Sequence, residues 1–151
     1  MPRPAPEPVP PEQVRDLALA VIREDRFPML ATLDGQQPRV RPISPLRTDG
    51  FTVYFASLRS YHKTGELEAN PRVELCYLSD RHDQLRLTGQ CSPVTDTNTI
   101  QSLWNESPLL RQYLGSPDNP QLLIYKVTPI QIRFMREWAL EYFDVPVGVT
   151  A

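Results

Sequence analysis

Turn-forming residues divide the middle of this chain into short apolar segments, and that spacing restricts the possible folds more than any other feature. Asp34-Gly35 and Asp49-Gly50 supply the positive-φ chemistry of tight hairpin turns, and Asn70-Pro71 interrupts the chain again. The segments between the turns are rich in β-branched and aromatic residues, which is typical of strands in an antiparallel meander. The pattern predicts about six short strands.

Helical periodicity replaces this pattern in three places. We expect an amphipathic helix from Glu12 to the break at Phe27-Pro28, a short helix over residues 61–69, and one or two helices over residues 97–113. A last strand or strand pair follows, and Gly89 in the strand before the last helical segment suggests a bulge or a close approach of another backbone. The sequence thus predicts a mainly β (α+β) fold: a six-stranded antiparallel barrel, closed or split, with an N-terminal helix and a helical insertion before the last strand.

The 151 residues fit one domain, because folded units usually have about 100–150 residues. Six of the 17 prolines fall within the first eleven residues, where they favour an extended, solvated chain. We expect a disordered proline-rich arm at residues 1–11, with a recognition peptide as the functional alternative. One folded domain over residues 12–138 and a C-terminal tail over residues 139–151 complete the division.

Charge and cysteine content exclude several classes of function. The chain carries 16 Lys and Arg against 18 Asp and Glu, a formal charge of −2, so we expect no nucleic-acid partner. Cys76 and Cys91 form no Cys-x-x-Cys pair and His62 lies far from His82, so we expect no metal site. No long apolar run and no signal peptide are apparent, which predicts a cytoplasmic protein without a membrane partner.

A local basic cluster lies around the ends of the second and third predicted strands. Arg39 and Arg41 share one face of a strand, and Lys63 near the start of a short helix would add its charge to the free amides and positive dipole end. Ser57 and Ser60 offer hydroxyl donors. This mixture is typical of a phosphate site, and a solvated basic face is the alternative.

The order of four sequence segments is similar to that of a known family. They are Arg39-Val40-Arg41-Pro42-Ile43-Ser44, Tyr54-Phe55-Ala56-Ser57, His62-Lys63 followed by Asn70-Pro71, and Gln84-Leu85-Arg86-Leu87-Thr88-Gly89. From about Phe27 to Met135 the chain resembles the pyridoxamine phosphate oxidase-like FMN-binding split barrels. The resemblance is strongest to their short bacterial members, often described as general stress proteins.

The resemblance implies a phosphate clamp for FMN. Arg39 and Lys63 take the positions that hold the phosphate, and His62 stands where the family has a stronger cation. Ser57, with Ala56 before it, closes the third strand and contacts the flavin or its phosphate.

The resemblance also implies contacts to the flavin ring and a second subunit. The backbone of the second strand meets the ring edge, through Val40, Arg41, Pro42 and Ile43, with Ser44 after them. Gln84 reaches FMN from the other subunit, which implies a homodimer with FMN at the subunit interface. Ser44 replaces the substrate lysine of the true oxidases, and the C-terminal Arg–His pair is missing, so pyridoxamine phosphate is not the expected substrate.

The function expected from these residues is FMN-dependent oxidation or reduction of an unidentified small molecule. The flavin would supply the redox chemistry, so no catalytic acid or base is assigned. Two alternatives stay open at this point. One is a non-catalytic module that stores or senses flavin, or binds haem or a deazaflavin, and the other is an empty structural barrel.

Overall fold

Eight strands form one antiparallel sheet in this chain. The computed structural model describes residues 1–2, 5, 8–137 and 139–148. The strands are β1 (Met29–Asp34), β2 (Gln37–Pro42), β3 (Arg47–Asp49), β4 (Thr52–Leu58), β5 (Arg72–Leu78), β6 (Gln84–Pro93), β7 (Leu122–Met135) and β8 (Phe143–Val145).

The sheet follows the order β2-β1-β5-β6-β7-β4-β3, with β8 paired to β7. The mainly β split-barrel class is confirmed. The described strands number eight rather than six, because β3 and β8 have three residues each, too few for an alternating pattern to be recognised. Strand β2 is an edge strand, as its prolines require.

A short 3-10 turn (Pro11–Gln13) leads into the first of the four α-helices found in the described part of the chain. These are α1 (Val14–Glu24), α2 (His62–Ala69), α3 (Thr97–Glu106) and α4 (Pro108–Leu114). Helix α1 buries its apolar stripe, including Ala18 and Val21, against the sheet. Helices α3 and α4 form the predicted insertion, and Gly115 ends α4 with a φ of 73°. None of the described helices combines the length and apolarity needed to cross a membrane.

Strands β6 and β7 pair closely where Gly89 lies. The register shifts between Thr88 and Gly89, and a Cβ atom at Gly89 would lie 2.7 Å from the carbonyl oxygen of Thr128. The predicted bulge or close approach is confirmed, since only glycine fits there without a shift of backbone. The opposing strand continues through Pro129 as one element.

The strand register defines two faces of the sheet. Leu30 pairs with Leu75, which pairs with Leu87, and all three are fully buried. We call their side the inner face and the opposite side the outer face. Arg41 pairs with Leu30 and belongs to the inner face. Gln84 pairs with the exposed Leu78 and belongs to the outer face.

The chain ends contribute to the folded part. Val9 packs in the core near α1, and β8 joins residues of the predicted tail to the sheet. Residues 3, 4, 6 and 7 of the predicted arm, Trp138, and residues 149–151 of the tail lie outside the described residues. The division into arm, domain and tail stays a prediction.

Candidate functional site

The first turn of α2 is not neutralised by acidic side chains. Strand β4 ends at Leu58, and after a short turn the helix begins at His62. Tyr61 holds the N-cap position in an extended conformation without a side-chain hydrogen bond to the helix, and the first turn contains no acidic residue. The amides of His62 and Lys63 and the positive dipole end of α2 are therefore available to an anion, whereas the Thr64 amide donates to the Tyr61 carbonyl oxygen at 3.1 Å.

Buried hydroxyls join this turn to β4. Thr64 Oγ1 donates to the carbonyl oxygen of Leu58 at 2.7 Å and lies 2.9 Å from Ser57 Oγ. Because the Thr64 proton goes to Leu58, Ser57 donates to Thr64. Ser57 and Thr64 are 3% and 1% exposed, so the link is solvent-free. Ser57 fixes the position of α2; the flavin contact expected of it stays a prediction.

Lys63 is half-buried among aromatic rings and beside another cation. Its Nζ atom lies 5.8 Å from the ring centroid of Phe55 and 5.7 Å from that of Tyr61. Burial, and after it the charge of Arg41, lower the pKa of the Lys63 ammonium below its ordinary 10.5. None of the described carboxylates lies within ion-pair distance of Lys63.

Arg41 is held in place by two oxygen acceptors. Its Nη1 atom donates to the carbonyl oxygen of Leu30 at 3.1 Å, and Nη2 donates to Glu66 Oε1 at 3.2 Å. The same Glu66 oxygen accepts a hydrogen bond from Thr32 Oγ1 at 3.1 Å. The Glu66 side chain is only 9% exposed, so this ion pair is well shielded from water. We call Arg41, Lys63, Thr64 and Glu66 the α2 corner.

Arg39 lies on the same strand face but in a different setting. Its guanidinium pairs with Asp34 Oδ2 at 3.1 Å across the hairpin, and both side chains are more than half exposed. The sequence pattern could not choose between Arg39 and Arg41. In the structure, Arg41 is the arginine whose charge acts on Lys63. The phosphate role expected of Arg39 stays a prediction.

The free edge of β2 presents a backbone donor at Val40. Ile43 donates its amide to the Pro28 carbonyl oxygen at 3.0 Å. Since successive amides of an extended strand point to opposite sides, the amide of Val40 points away from β1. Pro38 and Pro42 have no amide hydrogen, so further strand pairing is blocked on both sides of Val40.

The remaining predicted site residues differ in exposure. Ile43 is buried, Ala56 is half-buried, and Pro42, Ser44 and His62 are exposed. Gln84 is half-buried on the outer face, where Tyr142 Oη donates to its Oε1 atom at 2.9 Å. Within one chain, Gln84 and Arg41 therefore lie on opposite faces of the sheet.

Sequence reasoning missed three residues of this geometry: Thr64, Glu66 and Tyr142. Glu66 contacts a strand residue 34 positions away, and Tyr142 contacts one 58 positions away. No periodicity or motif connects such distant positions. Thr64 carries the only local signal, a hydroxyl in the first turn of a helix.

The two cysteines are poor nucleophiles, and the described residues contain no metal-binding cluster. Burial raises the pKa of the Cys91 thiol to about 12 and also raises that of Cys76, so both stay protonated at neutral pH. Among the described residues, no three His, Cys, Asp or Glu side chains are grouped closely enough to hold a metal ion. The α2 corner can bind and orient an anionic group.

Comparison with known proteins identifies relatives of this chain. A family model described as pyridoxamine 5'-phosphate oxidase matches residues 14–136. The chain is similar to general stress protein 26 of Bacillus subtilis, with 23% identity over 128 residues that cover 82% of this chain and 89% of the relative.

Two solved structures show the same fold. The general stress protein 26 of Bacillus anthracis has a TM-score of 0.71 at 20% identity, covering 88% of this chain and 99% of that one. A haem binding protein from Mycobacterium smegmatis has a TM-score of 0.74 at 11% identity, covering 96% of this chain and 59% of that one.

Proposed function

The chain belongs to the pyridoxamine 5'-phosphate oxidase family, and from this premise we propose that it is an FMN-binding flavin oxidoreductase acting on a small molecule. The observation that carries the proposal is Lys63, a half-buried ammonium that faces Arg41 and has no carboxylate partner among the described residues.

Two nearby cations in a desolvated corner raise the free energy of the ligand-free protein. Glu66 neutralises one of them and is already shared with Thr32. A phosphate monoester carries about two negative charges at neutral pH and could accept hydrogen bonds from Lys63 and the first turn of α2 together. The donor set therefore fits the phosphate of FMN.

The edge of β2 suits the flavin ring. Val40 offers its outward backbone groups between two prolines, so a planar polar ring edge could pair there where another strand could not. When bound, FMN supplies hydride or electron transfer, and the protein orients it and excludes water. Exposed Ser44 supports a substrate other than pyridoxamine phosphate, because a serine cannot replace a lysine as a cationic anchor.

The complete site needs two chains in this proposal. Gln84 lies on the outer face and Arg41 on the inner face, so one chain cannot direct both to the same flavin. The outer face also exposes Met29, Val40 and Leu78 by 46%, 67% and 51%. A homodimer would bury this apolar area and bring Gln84 to the partner's cofactor.

The test is FMN binding by the purified protein, followed by titration with quenching of flavin fluorescence. The variant Arg41→Gln with Lys63→Gln should lose FMN binding about 100-fold or more, because it removes the Lys63 donor and the positive charge of Arg41 beside it. Arg23→Gln with Lys126→Gln removes the same net charge outside the α2 corner and is the matched control. Equal affinity of the two double variants would refute the phosphate site.

Haem or deazaflavin binding without catalysis is the second candidate. The similarity to a haem binding protein from Mycobacterium smegmatis makes haem a candidate ligand. Absorbance spectra after addition of haem, FMN or a deazaflavin discriminate these ligands. Flavin retention without oxidation of any added reductant would favour a storage or sensing module over an oxidoreductase.

A further inference from the structure

A cluster on the outer face connects Gln84 to the C-terminal part of the chain. The Tyr142 ring lies against two guanidinium groups, with centroid distances of 5.3 Å to Arg86 Cζ and 5.8 Å to Arg133 Cζ. Tyr142 Oη lies 3.4 Å from Arg86 Nη1 and 2.9 Å from Gln84 Oε1. We call Gln84, Arg86, Arg133 and Tyr142 the outer-face cluster.

Hydrogen-bond chemistry determines which group donates and which accepts in each contact of the cluster. A guanidinium has no acceptor, so Arg86 must donate to the Tyr142 oxygen. The Tyr142 proton is then free to go to Gln84 Oε1. An amide whose oxygen is occupied presents its two N–H groups on the other side. Gln84 Nε2 donates to no acceptor among the described residues.

We infer that Tyr142 is a positioning residue that orients the Gln84 side-chain amide as a hydrogen-bond donor to the FMN held by the partner chain. The inference rests on the proposed function, since Gln84 contacts a flavin only in that proposal. It assigns a role in the site to the C-terminal segment, which also adds the short strand β8 to the sheet and packs Val145 in the core. Arg86 and Arg133 hold the Tyr142 ring over the strand. The Tyr142 hydroxyl fixes the orientation of the Gln84 side-chain amide.

The experiment tests the contribution of the Tyr142 hydroxyl separately from that of its aromatic ring. Tyr142→Phe keeps the aromatic surface against Arg86 and Arg133 and removes only the donor to Gln84. Tyr113→Phe is the matched control, because Tyr113 is 78% exposed on α4 and makes no side-chain hydrogen bond or ring contact with the described residues of the α2 corner or the outer-face cluster. We expect Tyr142→Phe to weaken FMN binding about three- to tenfold and to change the visible flavin spectrum. Tyr113→Phe should do neither.

The Gln84→Ala background distinguishes positioning from a merely structural role. There, Tyr142→Phe should cause no further loss of affinity, because its effect passes through the amide. An equal loss in both backgrounds would overturn the inference, and so would a wild-type affinity and spectrum for Tyr142→Phe alone. Urea unfolding of each variant checks that the fold is kept.

A measurement without flavin separates this inference from the proposed function. The side-chain amide NMR signals of Gln84, assigned by their loss in Gln84→Ala, should shift in Tyr142→Phe and stay in place in Tyr113→Phe. If the wild type binds no FMN, the proposed function fails and the inference fails with it. If FMN binds but the amide signals do not move, only the role of Tyr142 is overturned.

Discussion

The α2 corner and the outer-face cluster each bring two cations together, and they differ in how the protein stabilises them. In the cluster, Arg86 donates a hydrogen bond to Tyr142 and lies near the charge of Glu74, and both contacts raise its pKa. In the corner, burial and the like charge of Arg41 lower the pKa of Lys63. Arg86 therefore has both a hydroxyl and a carboxylate partner, whereas Lys63 has no carboxylate partner among the described residues and favours an additional anion.

Removing one positive charge from each region gives the largest expected contrast. Arg41→Gln should weaken FMN binding about 10- to 100-fold, because a shielded positive charge next to the phosphate is lost. Arg133→Gln should weaken it by less than about threefold, since a cation over an exposed ring contributes little. Fluorescence titration of both variants measures the contrast. Losses of similar size would mean that the two regions do not differ in this way.

Buried hydroxyls should show the next largest contrast, in stability. Thr64→Val leaves the Leu58 carbonyl and the Ser57 hydroxyl without their buried partner and should lower the free energy of unfolding by about 1–3 kcal/mol. Thr88 Oγ1 donates to Glu74 Oε2 at 2.7 Å in the half-buried outer face. Thr88→Val should therefore cost less, about 1 kcal/mol or below, because water can reach that carboxylate. Urea denaturation measures both changes; a larger loss for Thr88→Val would reverse the comparison.

The lowered pKa of Lys63 predicts opposite pH dependences with and without FMN. In the FMN-free protein, the unfolded chain binds more protons between the native pKa and 10.5, so stability rises with pH across this interval. FMN binding favours the charged ammonium, so affinity should fall as pH rises through the native pKa. Lys63→Met should remove both trends.

Urea unfolding and FMN titration over a pH series test this prediction, with Lys126→Met as the control for loss of a lysine outside the corner. An FMN affinity that changes with pH in the same way for wild type and Lys63→Met would contradict it.

Arg39 should give the smallest effect on stability. Because Arg39 and Asp34 are both more than half exposed, Arg39→Gln should change the free energy of unfolding by less than about 1 kcal/mol. Its effect on FMN affinity tests the role that the family resemblance gives it. A loss as large as that of Arg41→Gln would place both arginines at the phosphate, and a loss below about twofold would leave Arg41 alone there.

Most elements of the fold could be predicted because their signals are local. The Asp34-Gly35 turn separates β1 from β2, and Asn70-Pro71 separates α2 from β5. Gly89 was correctly predicted as a place of bulge or close approach. Strands β3 and β8 escaped prediction, because three residues in a strand are defined by the neighbour they pair with rather than by their own pattern.

The candidate site was only partly predictable. Lys63 could be found from its place near the start of a helix, and Gln84 from the family resemblance. The strand pattern alone did not distinguish Arg39 from Arg41, since residues two apart on a strand share a face, and only the family resemblance assigned the phosphate to Arg39. Their different partners, Asp34 across a local turn and Glu66 on a helix, separate them in space.

By itself, the sequence of this protein determined the strand and helix pattern, the edge position of β2 and the presence of a basic segment around Lys63, because these depend on neighbouring residues. Only the tertiary structure decided that Lys63 is desolvated beside Arg41, that Glu66 holds Arg41, and that Tyr142 reaches Gln84. Burial and long-range hydrogen bonds arise when distant segments pack, and they set the charge balance of the site.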